Sequence, residues 1–244
     1  MKISVITPSY NSAASIERAI RSVLEQDYAN YEHIIVDGGS TDGTVEILKK
    51  YGHLKWVSEK DRGQVHALNK GFAMSTGEVI VYLNADDHFC EGAFSAVIPH
   101  FDKGAKMVVG KVLVRSEKPD GIKEWVNDAR VDFVSMLRHW EPEAFCVNPI
   151  GYFYRRELQE AIGGFNEEND ARHDLEFLLE LALRCEATKI DKILGVFNHS
   201  LETKTGLSQL KPGSWSIDSK VFSLQKARRW SGDFWKVRCG WCRF

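Results

Sequence analysis

The run Val79-Ile80-Val81-Tyr82-Leu83-Asn84-Ala85-Asp86-Asp87 joins five apolar residues, rich in β-branched and aromatic types, to three side chains that carry oxygen. An apolar run of this length fits a strand buried on both faces, as in the middle of a parallel sheet. Asp86 and Asp87 then leave the strand at its carboxyl end, the edge of an open α/β sheet where ligands bind. Two adjacent carboxylates repel each other and are costly to desolvate unless positive charge lies beside them. A hard divalent cation carrying a diphosphate would supply that charge, since Mg²⁺ is usually held by one or two carboxylates together with substrate phosphates. A solvated acidic turn is the other reading of the same residues.

Upstream of this run, strands and helices alternate. Residues 3–7 form an apolar strand ended by Pro8, and Pro8-Ser9-Tyr10-Asn11-Ser12 is turn chemistry. Ser12 or Ser15 caps a helix to about Gln26, with Ile16, Ala19, Ile20, Val23 and Leu24 on one face. Residues 33–36 form a second strand and residues 54–57 a third, followed by helices reaching about Lys50 and Met74. The β-α-β-α-β-α-β order predicts a mostly parallel sheet covered by helices on both faces. Downstream the pattern loosens. Strands are expected at 107–114, 123–127, 150–154 and 190–198, and helices at 131–139, 170–184 and 216–230. With no internal repeat and no linker, the chain reads as a single domain over 1–215, in halves 1–90 and 91–215, plus a tail at 216–244.

The 244 residues suffice for a large core, and 43% hydrophobic with 27% charged residues is ordinary for a soluble globular protein. The net charge of −2 hides an asymmetry: from Lys220 onward the tail carries +6, with Trp230, Trp235, Trp241 and Phe244, so the remainder sums to −8. A basic, Trp-rich tail suits an anionic surface. Five scattered cysteines do not form a disulfide framework, and Cys239 and Cys242 form an isolated CxxC, so a reducing compartment is expected. The chain opens on a strand-like run and has no 18-residue apolar stretch, so neither a signal peptide nor a spanning helix is expected. These features predict a cytoplasmic protein lying on the cytoplasmic face of a membrane.

Three successive strand ends carry polar, glycine-containing loops. Asp37 ends strand two as Asp86 ends strand four, and Gly38-Gly39-Ser40 allows close backbone approach before a helix with free N–H groups. The bland alternative is an ordinary strand-to-helix turn with Ser40 or Thr41 as N-cap. Arg62 and Gly63 repeat the arrangement after strand three. No GxGxxG and no GxxxxGK[ST] is present, which disfavours NAD-type dinucleotide binding and P-loop chemistry.

Thr7-Pro8-Ser9-Tyr10-Asn11, Val36-Asp37-Gly38-Gly39-Ser40-Thr41-Asp42-Gly43-Thr44, Asp61-Arg62-Gly63-Gln64 with Ala67-Leu68-Asn69-Lys70-Gly71, and Leu83-Asn84-Ala85-Asp86-Asp87 resemble the successive motifs of family 2 glycosyltransferases. The match runs in order over roughly the first 90 residues, which is more specific than any one motif. The resemblance implies a GT-A fold and an inverting, metal-dependent hexosyl- or N-acetylhexosaminyl-transferase. It would use a nucleotide-diphosphate sugar, Mg²⁺ or Mn²⁺, and a glycan or lipid-linked acceptor, as in envelope polysaccharide synthesis. It implies that Pro8, Tyr10 and Asp37 line the nucleoside site, that Arg62 lies near the base or diphosphate, and that Asp86 ligates the metal. Asn11, Gly63, Asn69, Asn84 and Asp87 complete the implied donor set. Gly163-Gly164-Phe165-Asn166-Glu167 with His173-Asp174-Leu175-Glu176 resembles the acceptor-side motif, which makes Asp174 the general base. The charge-favouring first turns of a helix suit such a base.

The chain departs from the family pattern at two positions: Asn84 and Gly38 stand where many members carry Asp. His199, after the last strand, is a further candidate metal ligand, and residues 203–208 have the composition of a flap. Two other classes compete. A sugar-nucleotide nucleotidyltransferase would need a basic Gly-rich loop after strand one, where Pro8–Ser12 stands instead. A non-catalytic nucleotide- or glycan-binding member would tolerate Asn84.

Overall fold

The computed structural model describes residues 1–118, 121–137, 143–144, 146–168 and 173–199. Among the described residues, nine strands form one sheet in the order β3-β2-β1-β4-β8-β6-β9-β5, with β7 paired to β6. The parallel half comprises β1 (Ile3–Ser9), β2 (Tyr31–Asp37), β3 (Lys55–Ser58) and β4 (Val79–Tyr82). All seven residues of β1 and all four of β4 are buried, as a strand covered on both faces requires. Along β2, Ile34 and Val36 face one apolar cluster and Ile35 the other, so strand alternation serves two cores at once.

The helices between these strands supply the two covers. α1 (Ile16–Leu24) lays Ile16 and Ile20 against Ile35, Leu48 and Ala85. α2 (Thr44–Leu48) is short. α3 (Gln64–Met74) packs so closely on β1 that a Cβ on Gly71 would lie 2.4 Å from Ile6 Cγ2.

Beyond β4 come β5 (His88–Phe89), α4 (Ala93–Asp102), β6 (Met107–Lys118), β7 (Gly121–Asn127), α5 (Phe133–Met136), β8 (Tyr152–Arg155), α6 (Arg156–Ile162), α7 (His173–Arg184) and β9 (Ala187–His199). Three of these, β5, α4 and α6, are absent from the sequence expectation, and α5 is shorter than the expected 131–139 helix. β8 inserts antiparallel between β4 and β6, while β9 runs parallel to β6. Residues 170–172 of the expected 170–184 helix, the 203–208 flap, the 216–230 helix, Cys239, Cys242 and the tail lie outside the described residues. No described helix is long and apolar enough to cross a membrane.

One buried group ties the parallel half to pH. His33 on β2 is fully buried; its Nε2 lies 2.9 Å from Thr7 Oγ1, and its Nδ1 has no partner among the described residues. Burial, and then the charge of His53, press its pKa down to about 3. The folded state therefore binds fewer protons than the unfolded state below pH 6.5. The stability contributed by the neutral ring is whole above that pH and declines by about 1.4 kcal/mol per unit as pH falls from 6.5 toward 3. Urea melts are expected to lose about 2 kcal/mol between pH 7 and pH 5 through this group. His33→Gln, which keeps a partner for Thr7, should remove that part of the slope; equal slopes in the two proteins would contradict the assignment.

Candidate active site

The four parallel strands end on one rim, and the loops after β1, β2, β3 and β4 meet there. At the end of β2, Asp37 is fully buried. Its Oδ2 accepts the N–H groups of Gly39 (3.1 Å) and Ser40 (2.9 Å) and the Ser58 hydroxyl (2.7 Å), while Oδ1 accepts the Ser40 hydroxyl. Asn11 joins the same knot: its N–H donates to Ser40 Oγ, and its Oδ1 accepts the Thr41 N–H. The loop amides of Gly39, Ser40 and Thr41 are thus taken by the loop's own side chains. The helix cap also differs from expectation. Gly43, at φ 99°, precedes α2, and Asp42 Oδ1 accepts the Thr44 N–H; neither Ser40 nor Thr41 caps the helix. Pro8 ends within β1, and Tyr10 just after it is 66% exposed, which leaves its ring available on the rim.

After β3, Asp61 Oδ1 accepts the Gly63 N–H at 2.9 Å, with Gly63 at φ 120°, a left-handed backbone that favours glycine. Arg62 reaches across to the second half of the chain, donating from Nε and Nη2 to Glu167 Oε2 at 3.1 and 2.7 Å. Asn69 fastens the same segment from α3. Its Nδ2 donates to the Phe165 carbonyl and its Oδ1 accepts the Phe165 N–H, at 2.9 and 2.7 Å. A Cβ on Gly164 would fall 2.9 Å from Asn69 Oδ1, so a side chain there would displace the amide that holds Phe165.

The acidic turn after β4 divides its work between two carboxylates. Asp87 is fully buried and accepts from Asn148 Nδ2 (2.7 Å), the Asn198 N–H (2.8 Å) and Asn84 Nδ2 (3.2 Å). Burial, and the charge of Asp86 beside it, push its carboxyl up to about 8. Asp86 is held by its backbone: its carbonyl accepts from Arg18 Nη2 (2.7 Å) and Asn198 Nδ2 (3.0 Å). Its carboxylate accepts no hydrogen bond from another described side chain. Burial raises its pKa too, opposed by Arg18. Asn84 bridges Asp87 and Gln64, whose Nε2 lies 3.3 Å from Asn84 Oδ1. The Asn84 amide donates to Asp87, which a carboxylate at position 84 could not do.

Asn148 and Asn198 were not anticipated, since they reach Asp87 from 61 and 111 residues away. Replacing Asn148 by Leu leaves a buried carboxylate short of its closest donor. The expected cost is about 1–3 kcal/mol in urea melts, and an unchanged midpoint would contradict the role.

Asp174 lies in the first turn of α7, half-buried, with Oδ1 accepting the Leu175 N–H. Burial pushes the Cys146 thiol up to about 12, and Asp174 adds to that rise. Cys146 Sγ in turn donates to the carbonyl of Asn148, the residue that binds Asp87. His199 Nδ1 lies 3.2 Å from Ser116 Oγ, on the face of β9 opposite the side chain of Asn198. Its Nε2 is buried with no partner among the described residues.

No three His, Cys, Asp or Glu side chains converge on a point among the described residues. A resident metal cage is therefore not built into the described rim. One free carboxylate on a rigid turn does fit a cation that arrives with phosphate oxygens.

A parallel α/β rim with glycine-containing loops and an acidic turn at the strand ends is the edge where an open α/β sheet takes its ligand. Residues 4–163 match the family model for Glycosyl transferase family 2, and the chain belongs to that family. A Nostoc glycosyltransferase described as uncharacterised is 34% identical over 175 residues, covering 66% of this chain and 53% of its own length. The putative teichuronic acid biosynthesis glycosyltransferase TuaG of Bacillus subtilis is 41% identical over 91 residues, 35% of this chain and 36% of its own. Among solved structures, TarS of S. aureus in complex with UDP-GlcNAc has a TM-score of 0.65 at 21% identity, over 81% of this chain and 58% of that one. Mannosyltransferase PcManGT from Pyrobaculum calidifontis, in complex with GDP-Man and Mn²⁺, has 0.60 at 22%, over 93% and 75%. These likenesses establish the GT-A fold. The chain spans about half the length of the Nostoc relative.

Proposed function

We propose that this glycosyltransferase moves a hexosyl or N-acetylhexosaminyl group from a nucleoside-diphosphate sugar to a hydroxyl of a glycan or lipid-linked acceptor, with inversion, in envelope polysaccharide synthesis. The observation that carries the reading is Asp86: its carbonyl is fixed by Arg18 and Asn198, while its carboxylate is left to a ligand at the carboxyl end of β4. The solved neighbours that hold UDP-GlcNAc and GDP-Man with Mn²⁺ support the donor class, and TuaG supports the acceptor class.

In this mechanism the nucleoside lies over Pro8, Tyr10 and the loop that Asp37 shapes. Arg62 and Gly63 border the diphosphate. Asp86 would hold Mg²⁺ or Mn²⁺, which when bound stabilises charge on the leaving diphosphate. Asn84 and Asp87 keep the turn in place; Asn11 and Asn69 do the same for the neighbouring loops. Asp174 takes the proton from the acceptor hydroxyl as that oxygen attacks the anomeric carbon from the side opposite the diphosphate.

The +6 aromatic tail would dock the protein on the cytoplasmic face of an anionic membrane, near a lipid-carried acceptor. Product formed from isotopically labelled donor, with the anomeric configuration read by proton coupling, tests the reading. An inverted anomer is expected; a retained one, or a nucleotidyl product, overturns it.

A further inference from the structure

We infer that Asp61, rather than Asp37, reads the nucleobase of the donor, and that the base it selects carries a ring N–H. The inference rests on the donor site proposed above.

Asp37 and Asp61 both stand beside the nucleoside loops, and their states differ. Asp37 has no exposed surface, and both of its oxygens are occupied by Gly39, Ser40 and Ser58. It shapes the loop and has nothing left to offer a base. Asp61 has one oxygen on the Gly63 N–H, and its Oδ2 accepts no hydrogen bond from a described residue. That Oδ2 lies 2.9 Å from the point where a Cβ on Gly38 would sit, with the carboxyl carbon at 3.1 Å. The carboxylate therefore fills the place that a side chain at position 38 would take.

Gly38 in turn abuts the end of β1, its N–H donating to the Ser9 carbonyl at 2.8 Å between Pro8 and Tyr10. The absent side chain at 38 thus lets a carboxylate from the next loop lie over the base pocket.

A carboxylate only accepts hydrogen bonds. Uracil N3 and guanine N1 carry a proton and can donate to it. Adenine N1 and cytosine N3 present a lone pair at the equivalent edge and are repelled. A site built on one such bond rejects a partner that cannot make it, because the buried acceptor is then left unpaired.

The test is calorimetric titration of the full chain, with Mn²⁺ present, by UDP, GDP, CDP and ADP, and by N3-methyl-UDP and N1-methyl-GDP. UDP or GDP is expected to bind at least about tenfold more tightly than CDP and ADP, and ring methylation should cost about the same factor. The UDP and GDP arms identify which ring N–H is read. Asp61→Ala should erase the preference, weakening UDP or GDP and relieving the repulsion that ADP and CDP meet in wild type. Gly38→Ala should do likewise, since its Cβ displaces only the flexible end of Asp61.

If Asp61→Ala fails to fold, Gly38→Ala and the methylated nucleotides carry the test. A preference that survives both variants, methylated bases bound as tightly as their parents, or ADP or CDP bound best would overturn the inference and leave the donor site standing. A wild-type chain that binds no nucleoside diphosphate overturns the donor reading and the inference together.

Discussion

Asp86→Ala is expected to lower sugar transfer by about 10³-fold or more while the thermal midpoint stays within a few degrees of wild type. The fold uses Asp86 through its carbonyl, which Arg18 and Asn198 hold from α1 and β9, and alanine keeps that carbonyl. What the substitution removes is the carboxylate, which makes no bond to another described side chain. Removing it also relieves its repulsion on buried Asp87, so the turn should not loosen. The loss is therefore expected in activity and not in stability. Labelled-donor assays beside melting curves separate the two; full turnover in the variant, or in wild type with EDTA, would sink the role of Asp86.

Asp174→Asn is expected to lower turnover by about 10²–10⁴-fold with donor affinity unchanged. The substitution keeps size and keeps an acceptor for the Leu175 N–H, so the first turn of α7 is preserved. It removes the basicity that an attacking hydroxyl needs. The residue stands apart from the donor loops in sequence, in the first turn of α7, and its charge adds to the rise of the Cys146 thiol. A variant with weakened donor binding and intact turnover would assign Asp174 to the donor site instead.

How much of this was legible depended on the distance over which each feature is encoded. β1, β2, β3 and β4 were readable to within two or three residues; in β1, β2 and β4 burial on both faces forces local apolar runs such as Ile34-Ile35-Val36, while β3 at the sheet edge is only partly covered. α4 escaped notice although Phe94, Val97, Ile98 and Phe101 keep helical spacing; Pro99 within the helix masks it. β8 is four residues long, and nothing local says that it will lie antiparallel between β4 and β6. The acidic turn was visible, and so was its position at a strand end. Its supports were not, because Asn148 and Asn198 are defined only by contacts across the fold. The occupation of Asp37 had a local signal, since an aspartate followed by Gly-Gly-Ser can close an Asx turn on its own backbone. The pairing of Arg62 with Glu167 had none.

On the proposed reading, the rim binds a nucleoside diphosphate through a cation held by Asp86. The most direct measurement is calorimetric titration of UDP and GDP into wild type and Asp86→Ala, each with Mn²⁺ and with EDTA, which requires no knowledge of the acceptor. Wild type is expected to bind with Mn²⁺ and to weaken about tenfold or more in EDTA, and Asp86→Ala to bind weakly in a way that Mn²⁺ does not restore. Equal affinity for wild type with and without the cation, or no binding of either nucleotide, would contradict that reading.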